Sequence, residues 1–510
     1  MIPVWINKPQ FEYDIHSLVK AFFPAEEVRV FCTENGNAER VSGQSVSVRI
    51  QFLENEIAME LEREQMVEPE DMLGEQGAAY LPDVKAIREM GCCIQTQYAE
   101  GTPRNEVRNV LKQLLYKGLS GYLKKELPWG TLTGIRPVKI PMMMLEEGKR
   151  EDEILENMKR TYFISDAKGR LSLDIAKREK EILSALHYKD GYSLYIGIPF
   201  CPTTCLYCSF TSYPIAAWRK RVGDYLDALE KEIAYAAGAC EGKILDTVYI
   251  GGGTPTTLEP EELERLFQAI REHFDMGGVQ EFTVEAGRAD SITREKLRVL
   301  KKYGITRISV NPQTMKDETL QFIGRRHTVA QVKEAFASAR KEGFDNINMD
   351  IILGLPEETE EDVRHTAEEI AKLNPDSLTV HSLAIKRASA LSQWIGENGI
   401  RTLRNTDATM DIAAKAAADM GMEPYYLYRQ KNMSGNFENV GYARAGKYGI
   451  YNILIMEEKQ TIVACGAGSV SKRVYPDGRI ERSENVKDVA QYIERIGEMI
   501  ERKKHLLCDC

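Results

Sequence analysis

Several things are scarce in this sequence, and each absence removes a class of function. Basic charge is not in excess: 67 Lys and Arg stand against 77 Asp and Glu, a formal net charge of −10. That excludes a broad nucleic-acid-binding surface and leaves room only for a local basic pocket holding a small anion. No uncharged run approaches the ~20 apolar residues that a membrane span needs. The first residues, "MIPVWINKPQFEYDIHS", carry neither a positive n-region nor a long apolar h-region. No secretory signal is expected, and the expected location is the cytoplasm. Cysteine is sparse, with 10 in 510 residues. In a reducing compartment these are not expected to form disulfides, and most are scattered, as small buried hydrophobes are. Cys92 and Cys93 are adjacent and make a poor chelate; Cys508 and Cys510 read either as a metal or redox pair or as a frayed tail. Only Cys201, Cys205 and Cys208 have ligand-like spacing.

What is present is a well-packed chain, with 43% hydrophobic and 28% charged residues. At 510 residues it is too long for one core, so two or three domains are expected. Residues 1–187 read as an α+β extension without a catalytic motif. "EVRVFCTE", "VSVRIQFLE" and "EIAMELERE" alternate as strands do, and "EVRNVLKQLLYKGL" and "IAKREKEILSALH" have helical periodicity. Residues 188–390 change character. Short apolar strands ("SLYIGIPF", "TVYIGGGTP", "EFTVEAG", "RISVNPQT", "NINMDIILGLP", "SLTVHSLA") alternate with amphipathic helices. Six such repeats predict an α/β fold with a parallel sheet, a partial (β/α)6 barrel whose site lies at the strand ends. Residues 391–510 break the repeat and are expected to form a small C-terminal domain acting as substrate platform or lid.

The motifs fall where such a barrel puts its chemistry. Cys201-x3-Cys205-x2-Cys208 follows a strand directly. Three soft thiolates fit a [4Fe–4S] cluster with one iron left open, or a zinc site completed by a distant histidine. The glycine run before Thr254 and Pro255 reads as a close backbone approach to an anionic or zwitterionic ligand, or as a tight turn. Glu285 and Gln313 end the next two strands, and Asp350 interrupts an apolar one, where a buried acid needs a partner or ligand. Arg325 and Arg326 offer a carboxylate clamp, or solvated helix charge.

Together, C-x3-C-x2-C with Tyr207 before the last cysteine, followed by "GGGTP", resembles the radical S-adenosylmethionine (SAM) superfamily. Over residues 190–475 it is similar to oxygen-independent coproporphyrinogen III oxidases, in their N-terminally extended subgroup. The resemblance implies that Cys201, Cys205 and Cys208 hold the cluster, and that SAM chelates the fourth iron. It implies SAM or cluster contacts from Tyr195, Tyr207, Gly252, Gly253, Thr254, Glu285, Gln313, Arg325, Asp350, Ala384 and Val470, with one or two SAM molecules bound. It also implies a 5′-deoxyadenosyl radical that takes hydrogen from two substrate propionates. Each then loses CO2 and an electron to become vinyl, a step of heme biosynthesis. A tetrapyrrole substrate, a reductant such as flavodoxin or ferredoxin, and a monomeric state are the implied partners. Arg136 and Lys139 in "GIRPVK" are candidates to meet the propionates.

The sequence departs from the oxidases at two positions. Gly197 stands where they have histidine, and Phe210 where they have a fourth cysteine. Related heme chaperones also lack that cysteine but carry a His-Asn-x-x-Tyr-Trp stretch; here it reads "YNILIM", with Tyr451 for the histidine. A heme-binding protein on the same scaffold, or a radical SAM enzyme acting on another tetrapyrrole, are the alternative functions.

Overall fold

The computed structural model describes residues 1–510 except 25, 34–45, 66–86, 135, 189, 211, 386–388, 399–402, 431–432 and 508–510. The Cys508-x-Cys510 pair therefore lies outside the described residues. The chain divides into two compact units: Met1–Ile135 with Met144–Leu171, and Arg136–Met143 with Ser172–Cys510.

The first unit is built on a five-stranded sheet: β1 (Ile2–Ile6), β2 (Val28–Cys32), β3 (Val46–Phe52), β4 (Glu56–Gln65) and β5 (Ile87–Gln97), in the order β2-β1-β3-β4-β5. β1 runs parallel to β2 and β3, while β3, β4 and β5 are antiparallel. The alternation in VSVRIQF puts Val46, Val48, Ile50 and Phe52 on the buried face. Helices Glu12–Phe22 and Arg104–Leu123 cover that face with Ile15, Leu18 and Phe22 and with Leu111, Leu114 and Leu115. Asn7 ties the end of β1 to β3, accepting from the Phe52 amide at 2.8 Å and donating to its carbonyl at 2.9 Å.

The second unit carries an eleven-stranded sheet. Its strands are β6 (Gly191–Ile198), β9 (Ile244–Gly252), β10 (Glu281–Gly287), β11 (Arg307–Val310), β12 (Ile347–Leu353), β13 (Ser377–Ser382), β14 (Glu423–Tyr428), β15 (Asn439–Ala443), β16 (Thr461–Cys465), β17 (Val470–Val474) and β18 (Ile480–Glu484). The short strands β7 (Phe200–Cys201) and β8 (Tyr213–Pro214) pair only with each other. The order is β14-β15-β13-β12-β11-β10-β9-β6-β16-β17-β18. The six repeats read from the sequence are the parallel run β6, β9, β10, β11, β12 and β13. Their apolar strands are buried because helices such as Val222–Ala239, Pro260–His273 and Glu360–Leu373 connect them. Threonine N-caps (Thr293, Thr328, Thr359) start three of the connecting helices. Among the described residues the sheet ends at β14 and β18 without closing, a partial barrel.

Two expectations about domains differ from the structure. Residues after 390 continue the same sheet: β15 pairs antiparallel with β13, and β16 pairs in parallel with β6, which makes it a seventh parallel strand. The free edges of β6 and β13 are satisfied by this later chain, so residues 391–510 belong to the same compact unit. The division near the N-terminus falls inside helix Asp166–Ser184 rather than at residue 187. The C-terminal half of that helix is fastened within the second unit, where Arg178 bonds the Pro424 carbonyl and pairs with Glu423 at 2.9 Å.

Candidate active site

The three cysteines sit on the loop that leaves β6, and the glycine motif after β9 holds that loop. Gly253 N donates to Ile198 O at 2.8 Å and Thr254 N to Phe200 O at 2.7 Å. The amides read from the sequence as ligand donors are thus used to fasten the cysteine loop. Thr254 Oγ1 reaches Cys201 Sγ at 3.5 Å. From the other side, Tyr213 N donates to Pro199 O at 2.8 Å, and Leu206 N to Ile323 O at 3.0 Å. Arg288 donates to Thr203 O at 3.1 Å and Thr203 Oγ1 at 2.7 Å while forking onto both oxygens of Asp290. Thr203 Oγ1 donates onward to Gly324 O at 2.7 Å. The loop is rigid because neighbouring strand ends hold it at five points.

A β-carbon added at Gly253 meets Phe200 O at 2.5 Å and Phe200 C and N at 2.9 Å, all backbone atoms that cannot rotate aside. Gly253→Ala is expected to push the cysteine loop away from β9. Iron bound after reconstitution should fall at least severalfold with the secondary structure intact; wild-type iron content in this variant would refute the fastening role.

All three thiols are half-buried. Burial, with the neighbouring cysteines adding to it, pushes the Cys201 thiol above its usual value, and burial does the same for Cys208. Metal binding therefore displaces protons here. A cluster of several irons spreads its thiolates over separate irons, which suits this loop.

The other expected residues lie along the strand ends. Tyr195 on β6 stacks on Tyr249 and on Tyr451, both at 6.2 Å between ring centroids, and Tyr249 and Tyr451 stack at 4.5 Å. Tyr249 donates to Glu285. Burial pushes the Glu285 carboxyl up to about 7, against the hydrogen bond from Tyr249 and with the Asp350 charge adding to it. Asp350 accepts from Asn348 Nδ2 at 2.6 Å and faces His381 Nε2 at 3.5 Å. Although burial opposes it, His381 and Asn348 hold its carboxyl below the usual value. Gln313 adopts φ 71° and bridges to β12: its amide donates to Asp350 O and its carbonyl accepts from Ile352 N, both at 2.9 Å. Arg325 is buried, donates to Asn311 O, and reaches Tyr207 and Cys205.

The structure therefore brings together the cysteine loop, Tyr207, Gly252, Gly253, Thr254 and Arg325 on one side, and Tyr195, Glu285, Gln313 and Asp350 beside them. Ala384 lies just past β13 and bridges to Met433. Val470 stands apart, 39% exposed at the start of β17 and paired with Glu484. Arg136 bonds Met456 O at 3.0 Å and pairs with Glu458 at 2.7 Å. Lys139 is exposed. Phe210, at the position of a fourth cysteine in the oxidases, is 75% exposed. A β-carbon at Gly197 meets only ordinary contacts, the nearest at 3.5 Å.

The raised Glu285 pKa has a definite sign. Between the ordinary carboxylate value and about 7, the folded protein holds a proton that the unfolded chain has released. Stability is thus lost as pH rises through that window, by about 3 kcal/mol. Glu285→Gln should remove this slope: the ligand-free variant should gain melting temperature relative to wild type between pH 5 and pH 8. A constant gap across that range would contradict the assignment.

The radical SAM superfamily matches residues 195–370. The oxygen-independent coproporphyrinogen-III oxidase-like protein HemZ of Bacillus subtilis (strain 168) is 41% identical over 403 residues, 78% of this chain and 80% of that one. The chain belongs to this oxidase-like family of radical SAM proteins. The heme chaperone HemW of the same organism is 32% identical over 307 residues, covering 60% of this chain and 76% of its own. Among solved structures, the Escherichia coli coproporphyrinogen III oxidase aligns with a TM-score of 0.49 at 24% identity, over 63% of this chain and 72% of that one.

The cofactors of this oxidase-like radical SAM protein are a [4Fe–4S] cluster and SAM, and the site fits both. Three thiols are presented on one fastened loop. Buried polar atoms without a partner, Ser309 Oγ, Asn311 Oδ1, Gln313 Oε1 and Arg325 Nε, cluster at the end of β11 and just beyond it. Such groups are costly unless a polar ligand meets them. Tyr249, Arg288 and His381 were not singled out in the sequence, and Tyr451 only as the residue in place of a chaperone histidine. Tyr249 and His381 could have been, since each is a polar-tipped residue inside an apolar strand, the signal that picked out Asp350.

Proposed function

We propose that this protein is an enzyme that oxidatively decarboxylates coproporphyrinogen III, or a closely related tetrapyrrole, without oxygen. The observation that carries the reading is the fastened cysteine loop beside two carboxylates and orphaned polar groups, in a chain 41% identical to the HemZ oxidase-like protein. When bound, the cluster and SAM supply one-electron reduction and hydrogen-atom abstraction. The chain's own residues do the rest. Cys201, Cys205 and Cys208 hold the cluster. Glu285 and Asp350 would offer acceptors to SAM, Gln313 and Arg325 would meet it with buried polar atoms that lack a partner, and the stacked rings of Tyr195, Tyr249 and Tyr451 lie beside Glu285. The half-buried position of the cysteine loop lets a reductant such as flavodoxin or ferredoxin approach. No described helix is long and apolar enough to cross a membrane.

A second reading, heme binding, is supported by the likeness to HemW. Against it stands the place of Tyr451, which is 4% exposed inside the tyrosine stack rather than open to a heme. Anaerobic turnover separates the two. With cluster, reductant, SAM and coproporphyrinogen III, the expected result is loss of two CO2 with 5′-deoxyadenosine formed. Deoxyadenosine without any change in the porphyrinogen overturns the substrate assignment. A Soret band on adding heme, with no turnover, favours the second reading.

A further inference from the structure

The two oxygens of Asp350 are held differently. Oδ1 accepts from Asn348 Nδ2 at 2.6 Å. Asn348 is itself locked, its Oδ1 accepting from Ser377 Oγ at 3.0 Å and Thr379 Oγ1 at 3.2 Å. These partners are neutral and buried. Oδ2 faces His381 Nε2 at 3.5 Å. The register of β12 and β13 pairs Asp350 with Thr379 and Ile352 with His381. His381 is therefore one step nearer the strand ends than Asp350, on the same inward face as Thr379. A ligand reaching Asp350 from the mouth passes the imidazole.

The second ring nitrogen is also occupied. Tyr428 Oη, at the end of β14, lies 3.4 Å from His381 Nδ1. Burial pushes the Tyr428 phenol above its usual value, so it keeps a proton that it can donate to Nδ1. A donor at Nδ1 leaves the proton of the neutral ring on Nε2, pointing at Asp350. Residues from β12, β13 and β14 thus form one line, Tyr428 to His381 to Asp350.

We infer that His381 is a positioning residue, fixed in its Nε2–H tautomer by Tyr428, that holds the free oxygen of Asp350 in the orientation that receives SAM. This rests on the reading of Asp350 as a SAM contact. Asn348 and Thr379 hold the carboxylate from within the sheet, and His381 adds a contact from the side of the strand ends.

The test is SAM affinity, measured anaerobically by equilibrium dialysis on the oxidised, cluster-loaded protein and its variants below their melting temperatures. Asp350→Asn serves as the reference and should weaken binding by an order of magnitude or more. His381→Ala should weaken it about tenfold, and His381→Gln, which keeps an N–H donor, should stay within about threefold of wild type. Tyr428→Phe should weaken it severalfold. In 15N-histidine-labelled protein the His381 imidazole, assigned by its absence in His381→Gln, should give an Nε2–H signature that Tyr428→Phe loses. If Asp350→Asn binds SAM as wild type does, the reading beneath the inference fails, and the inference with it. If Asp350→Asn is weakened while His381→Ala is not, the inference alone fails. An Nδ1–H signature in the wild-type protein also overturns it.

Discussion

Cys205→Ala should abolish SAM cleavage while leaving the fold in place. Cys205 is the middle of the three proposed ligands, and its backbone is held independently of its thiol: the Cys208 amide donates to Cys205 O at 3.1 Å, and Leu206 is tied to Ile323. The side chain is half-buried, and the polar contact that a methyl group removes is with Arg325, which keeps Asn311 O and Tyr207 as partners. The circular dichroism spectrum and melting temperature of the metal-free protein should therefore match wild type. The reconstituted protein should lose most of its iron, and 5′-deoxyadenosine should fall below detection. A cubane with two protein thiolates has two open irons and no single site for SAM. Cleavage retained in this variant would remove the cluster from these residues. A matching loss in Cys201→Ala and Cys208→Ala, each without unfolding, completes the set.

Lys503→Met should be among the most destabilising single changes in the second unit. Lys503 and Glu232 form an ion pair in which both side chains are 0% exposed. Glu232 is the hub: besides Lys503 it accepts from Asn485 Nδ2 at 2.7 Å, Tyr492 Oη at 2.6 Å and Gly466 N at 2.7 Å. Removing the cation leaves a carboxylate with no counter-charge in a place that water does not reach. That costs about 3–5 kcal/mol, which corresponds to a drop on the order of 5–10 °C in melting temperature. The double variant Glu232→Gln with Lys503→Met should recover part of the loss, because a neutral amide can keep several of the bonds. A drop of only a degree or two in the single variant would mean that Glu232 takes up a proton cheaply. The effect also reaches the active site. Gly466 lies at φ 104°, and a β-carbon there meets Gly197 O at 2.4 Å. The Glu232 hub thus presses the turn after β16 against the end of β6, from which the cysteine loop departs.

The chemistry of this protein was more legible in its sequence than its boundaries were. Cys201, Cys205 and Cys208 stand out because thiol spacing is a local signal. The six parallel repeats stand out because buried parallel strands are continuously apolar. Asp350 stood out as an acid in such a strand, and the structure gives it partners. Spatial assignments were harder. The glycine motif reads as a ligand cradle or a tight turn, and nothing in the sequence shows that the Gly253 and Thr254 amides are taken up by Ile198 and Phe200. Arg136 looked available because its partners, Met456 O and Glu458, lie more than 300 residues away in the chain. The place of β16 was hidden for the same reason: five apolar residues after a short helix carry no mark of which strand they will join.

The pairing of β16 with β6 also bears on how the protein is made. Cys465 lies opposite Ile196, so the strand that launches the cysteine loop receives its neighbour from chain synthesised much later. At ribosomal rates of about 5–20 residues per second, tens of seconds separate the emergence of the two. During that interval the loop can fold against β9 but not against the turn at Gly466, and one edge of β6 stays unpaired. The nascent chain exposes three thiols before the wall behind them exists. A chain ending before residue 461 should therefore be aggregation-prone and poor in iron even though every cysteine of the motif is present.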